Sequence, residues 1–247
     1  MNAQAAMSSA ESPPNGSSER RPRRLRRRLV LAAALVSVPA SAAAFLLRAK
    51  RSTPRFVGAS IKQAPTYQNE ALIDLAWDLP AARAFGHRVD PQSNPSSCGP
   101  SSLANVERSF GLRSSENAIL HGTGRCWFGI CAGGLTLDEL ASVARTSTHH
   151  QVTVLRDLTY EQFREHLRRS NDPNQRYLIN FHRGPLFGEG HGHFSPVGGF
   201  LEDRDLVFVL DVNARYQPFL VDARRLFDAM NTTDSASGKK RGLLALR

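Results

Sequence analysis

Cysteine is scarce, with three in 247 residues. That is too few for a disulfide framework, so the fold must rest on a hydrophobic core. Cys126 and Cys131 are not spaced as a zinc knuckle, and no second pair exists to complete four ligands. Internal repeats are missing too, which excludes solenoids and propellers. Charge imbalance is missing from most of the chain. The formal net charge is +10, yet 11 of the 32 basic and two of the 22 acidic residues lie in residues 1–55, a net of +9. Residues 56–247 keep 21 basic and 20 acidic residues, a net of +1. A basic groove for nucleic acid is therefore excluded. Hydrophobic residues make up 41% of the chain, enough for one well-filled domain.

What is present begins with a polar, basic stretch. Residues 1–28 are Ser-, Asn-, Ala- and Pro-rich, then Arg-rich from Arg20 to Arg28, and are expected to be disordered. An uncharged run follows from Leu29 to Leu47. Nineteen helical residues span about 28 Å, close to the thickness of a bilayer core. The preceding cluster of arginines orients such a segment so that the rest of the chain is exported. Ala40-Ser41-Ala42 resembles a cleavage site, whereas the continued run through Phe45-Leu46-Leu47 favours an uncleaved anchor. Both readings place the domain in the periplasm. Residues 48–70 read as a linker and 71–247 as the folded domain.

Within that domain the pattern is mixed. Leu103, Val106 and Phe110 recur at helical spacing behind Cys98, and Gly111 ends that helix. Thr136 to Glu139 is a capping box opening a helix to about Arg145, and Thr159 with Gln162 opens another. Stretches 151–155, 177–181, 195–201, 206–211 and 242–246 read as strands, with 202–205 as a hairpin turn, and 223–230 as a short helix. Helices first and an antiparallel sheet after them give an α+β fold.

The chemistry-bearing segment is Gln92-Ser93-Asn94-Pro95-Ser96-Ser97-Cys98-Gly99-Pro100. A cysteine opening a helix sits at the positive end of the helix dipole, which favours its thiolate. A side-chain amide just upstream, Gln92, suits an oxyanion donor. Such a nucleophile needs a base and a group to orient it. His193 begins an apolar strand, and Asp211 ends the strand expected to pair with it. His191 competes with His193, because residues two apart in a strand share a face, and a His191/His193 metal clip is the weaker alternative. Asn213 is the alternative to Asp211 as orienting group. Cys126 and Cys131 are left either as a local disulfide or as small buried hydrophobes.

Beyond Gln92–Ser102, the blocks that matter are Gly134–Leu140, Asn180-Phe181-His182-Arg183, Gly192–Gly199, Leu210-Asp211-Val212, Ala229–Ser235 and Lys240-Arg241-Gly242. In this order they resemble the phytochelatin synthases, over about residues 60–247. The resemblance implies a papain-like cysteine peptidase fold, its nucleophile helix packed against an antiparallel sheet carrying His and Asp. It implies attack of Cys98 on the Cys–Gly bond of glutathione, with His193 as base, Asp211 orienting it, and Gln92 and the Cys98 backbone N–H at the oxyanion. The γ-glutamylcysteinyl group then passes to water or to a second glutathione. Gly99, Gly192, Arg183 and Arg215 are the expected substrate contacts. No resident metal is implied; cadmium or zinc enters as a thiolate complex of the substrate.

Two departures from the family stand out. Its arginine three residues after the aspartate is replaced by Ala214, with Arg215 one further on. A Cys-rich extension like that of the plant enzymes is missing from this sequence, which implies hydrolysis over polymer synthesis. The competing expectations are a papain-like peptidase acting on another γ-glutamyl or leader peptide, and a non-catalytic membrane-anchored thiol or metal-binding protein.

Overall fold

The computed structural model describes residues 58–126, 130–131 and 133–247. The basic segment 1–28, the apolar run 29–47 and the first part of the expected linker lie outside the described residues. In chain order the elements are α1 (Glu70–Trp77), α2 (Pro80–Arg83), α3 (Cys98–Ser109), α4 (Glu116–Leu120), α5 (Leu137–Ser147) and β1 (Val152–Arg156). They continue with α6 (Tyr160–Arg169), β2 (Arg176–His182), α7 (Gly184–Phe187), β3 (Gly192–Leu201), β4 (Leu206–Val209), β5 (Phe219–Asp222), α8 (Ala223–Met230) and β6 (Gly242–Leu246). Among the described residues no helix is long and apolar enough to cross a membrane.

Helix starts follow local chemistry. Both expected capping boxes form: Thr136 with Glu139 on α5, and Thr159 with Gln162 on α6. Asn69, Ser115 and Asp222 cap α1, α4 and α8 through their side chains. The start of α3 differs, because Ser97 makes no side-chain cap there.

The six strands form one antiparallel sheet in the order β1-β6-β2-β3-β4-β5. All strands but the edge strand β1 are buried on both faces, so both faces must be covered. Leu178, Phe194, Phe208 and Leu244 point to the side of α3 and α5, while Ile179, Phe181, Val207 and Leu243 point to the side of α6 and α8. The sheet is thus sandwiched between two helical layers, one more than the sequence pattern suggested. The β3–β4 pairing shifts register between Val197 and Gly199. Gly199 sits at φ +150°, and a Cβ there would lie 2.6 Å from Leu79 Cδ1, so only glycine fits this bulge. Asn171 holds it: its Oδ1 accepts from Phe200 N (2.8 Å) and its Nδ2 donates to Phe200 O (2.9 Å).

Ordered packing begins before residue 71. A short 3-10 helix covers Ile61–Gln63, Ile61 and Tyr67 are buried, and Leu220 N donates to Tyr67 O at 2.8 Å. The end of the expected linker is therefore part of the domain, because two apolar side chains and a backbone hydrogen bond fix it there.

Candidate active site

Cys98 is the first residue of the 12-residue helix α3. With no side-chain cap at Ser97, the helix presents its positive end directly at the thiol. His193 stands on β3 and Asp211 just beyond β4, where Leu210 N donates to Pro196 O (2.9 Å) and carries the strand pairing up to the carboxylate. His193 Nε2 lies 3.0 Å from Asp211 Oδ1. With Nε2 engaged by the carboxylate, Nδ1 is the nitrogen left for the thiol. All three residues are buried.

Their charges support one another. Burial alone would push the Cys98 thiol up, but the neighbouring His193, its hydrogen bond and backbone hydrogen bonds at Phe194 and Gly99 bring it below the ordinary thiol range. Burial would likewise lower His193, yet the Asp211 carboxylate wins and holds the imidazole above its usual value. Burial of Asp211 is overcome by His193, Arg183 and the Asn213 N–H, which keep its carboxyl below the usual carboxylate range. A thiolate–imidazolium pair is the arrangement these shifts favour.

Several expected site residues stand elsewhere. Arg183 is buried against Asp211 and does not line the cleft beside Cys98. Its Nη2 donates to both oxygens of Asp211 (2.9 and 2.7 Å), and its guanidinium lies 3.8 Å above the Tyr216 ring. It positions the carboxylate. Arg215 is exposed, paired at 3.3 Å with the equally exposed Glu189, and does not line the cleft beside Cys98. Gly99 makes room for packing, since a Cβ there would meet Leu140 Cδ1 at 3.2 Å and Phe194 Cδ2 at 3.6 Å. Gly192 lines the cleft and clears space for Arg241, whose Nη2 would be 2.9 Å from an added Cβ. Gln92 stands on the loop before α3, where its Nε2 donates to Asn94 O (2.6 Å) and retains a second hydrogen. Asn213 contributes its backbone N–H to Asp211 (2.8 Å), while its side chain accepts from Arg215 N. His191 is exposed at the cleft, and a His191/His193 clip gains no third ligand among the described residues.

The cleft beside Cys98 has a volume of about 660 Å³. Gly133–Thr136, Asn180, Asp234 and Arg241 are among the residues that line it. Arg241 is a residue whose role the sequence did not reveal. It is 6% exposed, and its Nη1 is held by Thr232 Oγ1 (3.0 Å) and Thr233 O (2.7 Å). Asp234 Oδ1 lies 3.6 Å from Nη2, and Nε has no partner. Asn180 Oδ1 is buried and also unpartnered. The only signal for Arg241 was its place in a family block. Nothing local says that a basic residue opening a strand turns inward.

Residues 83–243, well over half of the chain, match the family described as phytochelatin synthase. The chain belongs to the phytochelatin synthase family. Among curated relatives it is 33% identical over 174 residues to "Glutathione gamma-glutamylcysteinyltransferase 1" of Triticum aestivum, covering 62% of this chain and 33% of that one. It is 30% identical over 178 residues to the "Glutathione gamma-glutamylcysteinyltransferase" of Schizosaccharomyces pombe, covering 66% and 42%. The matched part thus spans well under half the length of these relatives. Solved structures that resemble it include the peptidase domain of Streptococcus ComA (TM-score 0.45, 15% identity, 64% of this chain and 96% of that one). A C39-like peptidase from Bacillus anthracis is similar to the same degree (TM-score 0.47, 11% identity, 66% and 95%).

Proposed function

We propose that this member of the family is a glutathione γ-glutamylcysteinyltransferase and hydrolase with Cys98 as nucleophile. The observation that carries the reading is the buried Cys98, His193 and Asp211 constellation beside a cleft whose wall holds a guanidinium with a free donor. The Cys98 thiolate attacks the Cys–Gly carbonyl, forming the C–S bond and an oxyanion. The Cys98 backbone N–H and the remaining Gln92 amide hydrogen are the donors for that oxyanion. His193 gives its proton to the glycine nitrogen, the C–N bond breaks, and glycine leaves a thioester behind. Water, or the amine of a second glutathione, then attacks with His193 as base.

Substrate recognition follows from the cleft's charges. A γ-glutamyl group carries an α-carboxylate and an α-ammonium. Arg241 Nε suits the carboxylate, and Asp234 with Asn180 Oδ1 suits the ammonium. Cadmium or zinc enters as a thiolate complex of the acceptor, not as a resident ion. The basic and apolar N-terminal stretch of the sequence supports export to the periplasm, cleaved or anchored in the inner membrane.

The test is to incubate the chain and its Cys98→Ala variant with glutathione, with and without cadmium, and read products by mass spectrometry. Cys98-dependent glycine and γ-glutamylcysteine are expected, with longer γ-glutamylcysteine oligomers where transfer competes with water. A folded, reduced enzyme that leaves glutathione untouched in both conditions would reject this reading.

A further inference from the structure

Cys126 and Cys131 are joined in a disulfide. Cys131 is 2% exposed, whereas Cys126 is partly exposed. Cys126 also holds φ +61°, a conformation that a non-glycine residue keeps only when its surroundings impose it. The bridge is tied to the site from two sides. Cys131 N donates to Ser96 Oγ (3.1 Å), Ser96 Oγ donates to Asn94 Oδ1 (2.7 Å), and Asn94 O accepts from Gln92 Nε2 (2.6 Å). On the other side Gly134 N donates to Cys131 O (2.8 Å), and Gly133–Thr136 form the cleft wall. Arg125, next to Cys126, donates to Glu139 Oε1 (2.6 Å), also at the cleft. One residue, Cys131, thus connects the loop leading to Cys98 with the Gly133–Thr136 stretch that lines the cleft.

We propose that the Cys126–Cys131 bridge is a site of thiol–disulfide exchange that sets the shape of the substrate cleft, with a low-molecular-weight thiol as its reagent. A thiolate attacks the accessible sulfur, Cys126 Sγ. A bond forms between the thiol's sulfur and Cys126, the Cys126–Cys131 bond breaks, and Cys131 leaves as a thiolate that takes a proton from water. A second thiol attacks the mixed disulfide, releasing the symmetric small disulfide and the Cys126 thiol. Two small thiols are oxidised and the bridge gains two electrons; a small disulfide drives the reverse. Once open, Cys126 is free to leave its positive φ, and the hold of Cys131 on Ser96 and Gly134 loosens. Catalysis is then strongest where thiols are oxidised. The exchange chemistry stands alone, whereas its effect on turnover rests on the reading of Cys98 as nucleophile.

The test uses the full chain. Cys98→Ala protein is titrated with glutathione, used here as the thiol, and thiolated peptides are mapped by mass spectrometry. The expected product is a mixed disulfide on Cys126. A bridge that stays closed throughout, or an adduct on Cys131, would overturn the exchange site. The same variant is then reduced with a phosphine. Amide exchange in 92–98 and 130–137 should quicken, and unchanged exchange with the bridge open would overturn the link to the cleft. Finally, glycine release from S-methylglutathione, which has no thiol, is followed in otherwise wild-type protein. Reduction should raise KM about fivefold, the size of one net hydrogen bond lost from the wall, and Cys126→Ser/Cys131→Ser protein should show the high KM whether reduced or not. Thiolation at Cys126 and faster exchange without any turnover would keep this proposal and reject the proposed function.

Discussion

Asp211 holds the imidazolium in place and is itself held by Arg183. Removing its charge while keeping its shape separates the two roles. In Asp211→Asn the main cause that raises His193 is gone, so the imidazole titrates lower. The proposed reaction requires the thiolate, present above the lowered Cys98 value, and the imidazolium, lost as pH rises through the raised His193 value. The alkaline limb of kcat/KM should therefore move to lower pH, and kcat should fall about a hundredfold; a pH–rate profile of glycine release checks both. Arg183→Met leaves the carboxylate buried with fewer partners, at a cost of about 3 kcal/mol in urea unfolding. The sign with pH is fixed. The depressed carboxyl stabilises the fold fully above its unfolded value, about 3.9, and that contribution disappears as pH falls through the lower folded value. The variant should lose the part of it that Arg183 supplies, His193 still holding the larger share, and unfold in acid at a somewhat higher pH than the parent. The two remaining arginines make opposite predictions. Arg241→Lys removes the unpaired Nε and should raise KM for glutathione about tenfold with little change in kcat. Arg215→Ala breaks only an exposed pair and should change KM less than about twofold. Steady-state kinetics on both variants decide which arginine meets the substrate.

At the level of elements, glycines mark where strands and helices approach most closely. Gly242 pairs with Arg156 across β1 and β6, and a Cβ there would lie 2.1 Å from the carbonyl oxygen of Leu155. A backbone atom cannot give way as a side-chain tip can. Gly242→Ala should cost about 2–3 kcal/mol in a denaturant melt and separate the ends of these strands. The sequence revealed the elements that carry their own local signals. The capping boxes at Thr136 and Thr159 and the hairpin turn at 202–205 are of this kind, since each is decided by residues within four positions. The same sequence did not reveal β5 or the helices before Cys98. Phe219–Asp222 is only four residues long, and it is a strand because β4 lies beside it. Nor did pattern reveal that Gly99 serves packing, because its reason is Leu140 on another helix.

For the whole molecule, the candidate site was legible where chemistry is local and hidden where it is assembled across the chain. Cys98 announces itself by opening a helix, and His193 and Asp211 by flanking one hairpin. Arg183 and Arg241 take their places only when β2, β3 and β6 come together, so their side chains had no readable direction. The same topology makes the C-terminal strand central: β6 lies between β1 and β2 and is hydrogen-bonded to both. Leu244, fully buried in its middle, packs in the core shared with α3 and α5. The sheet cannot close until β6 has joined β1 and β2, a non-local arrangement that slows folding. Truncation after Arg241 would leave β1 and β2 with unpaired edges facing an unfilled slot. We expect such a chain to lose its cooperative thermal transition by circular dichroism, whereas Leu244→Ala should keep it with a loss of about 2–4 kcal/mol. A truncated chain that still melted sharply near the full-length temperature would mean that β1 and β2 can pair without β6, and that the placement of Arg241 does not depend on the strand it opens.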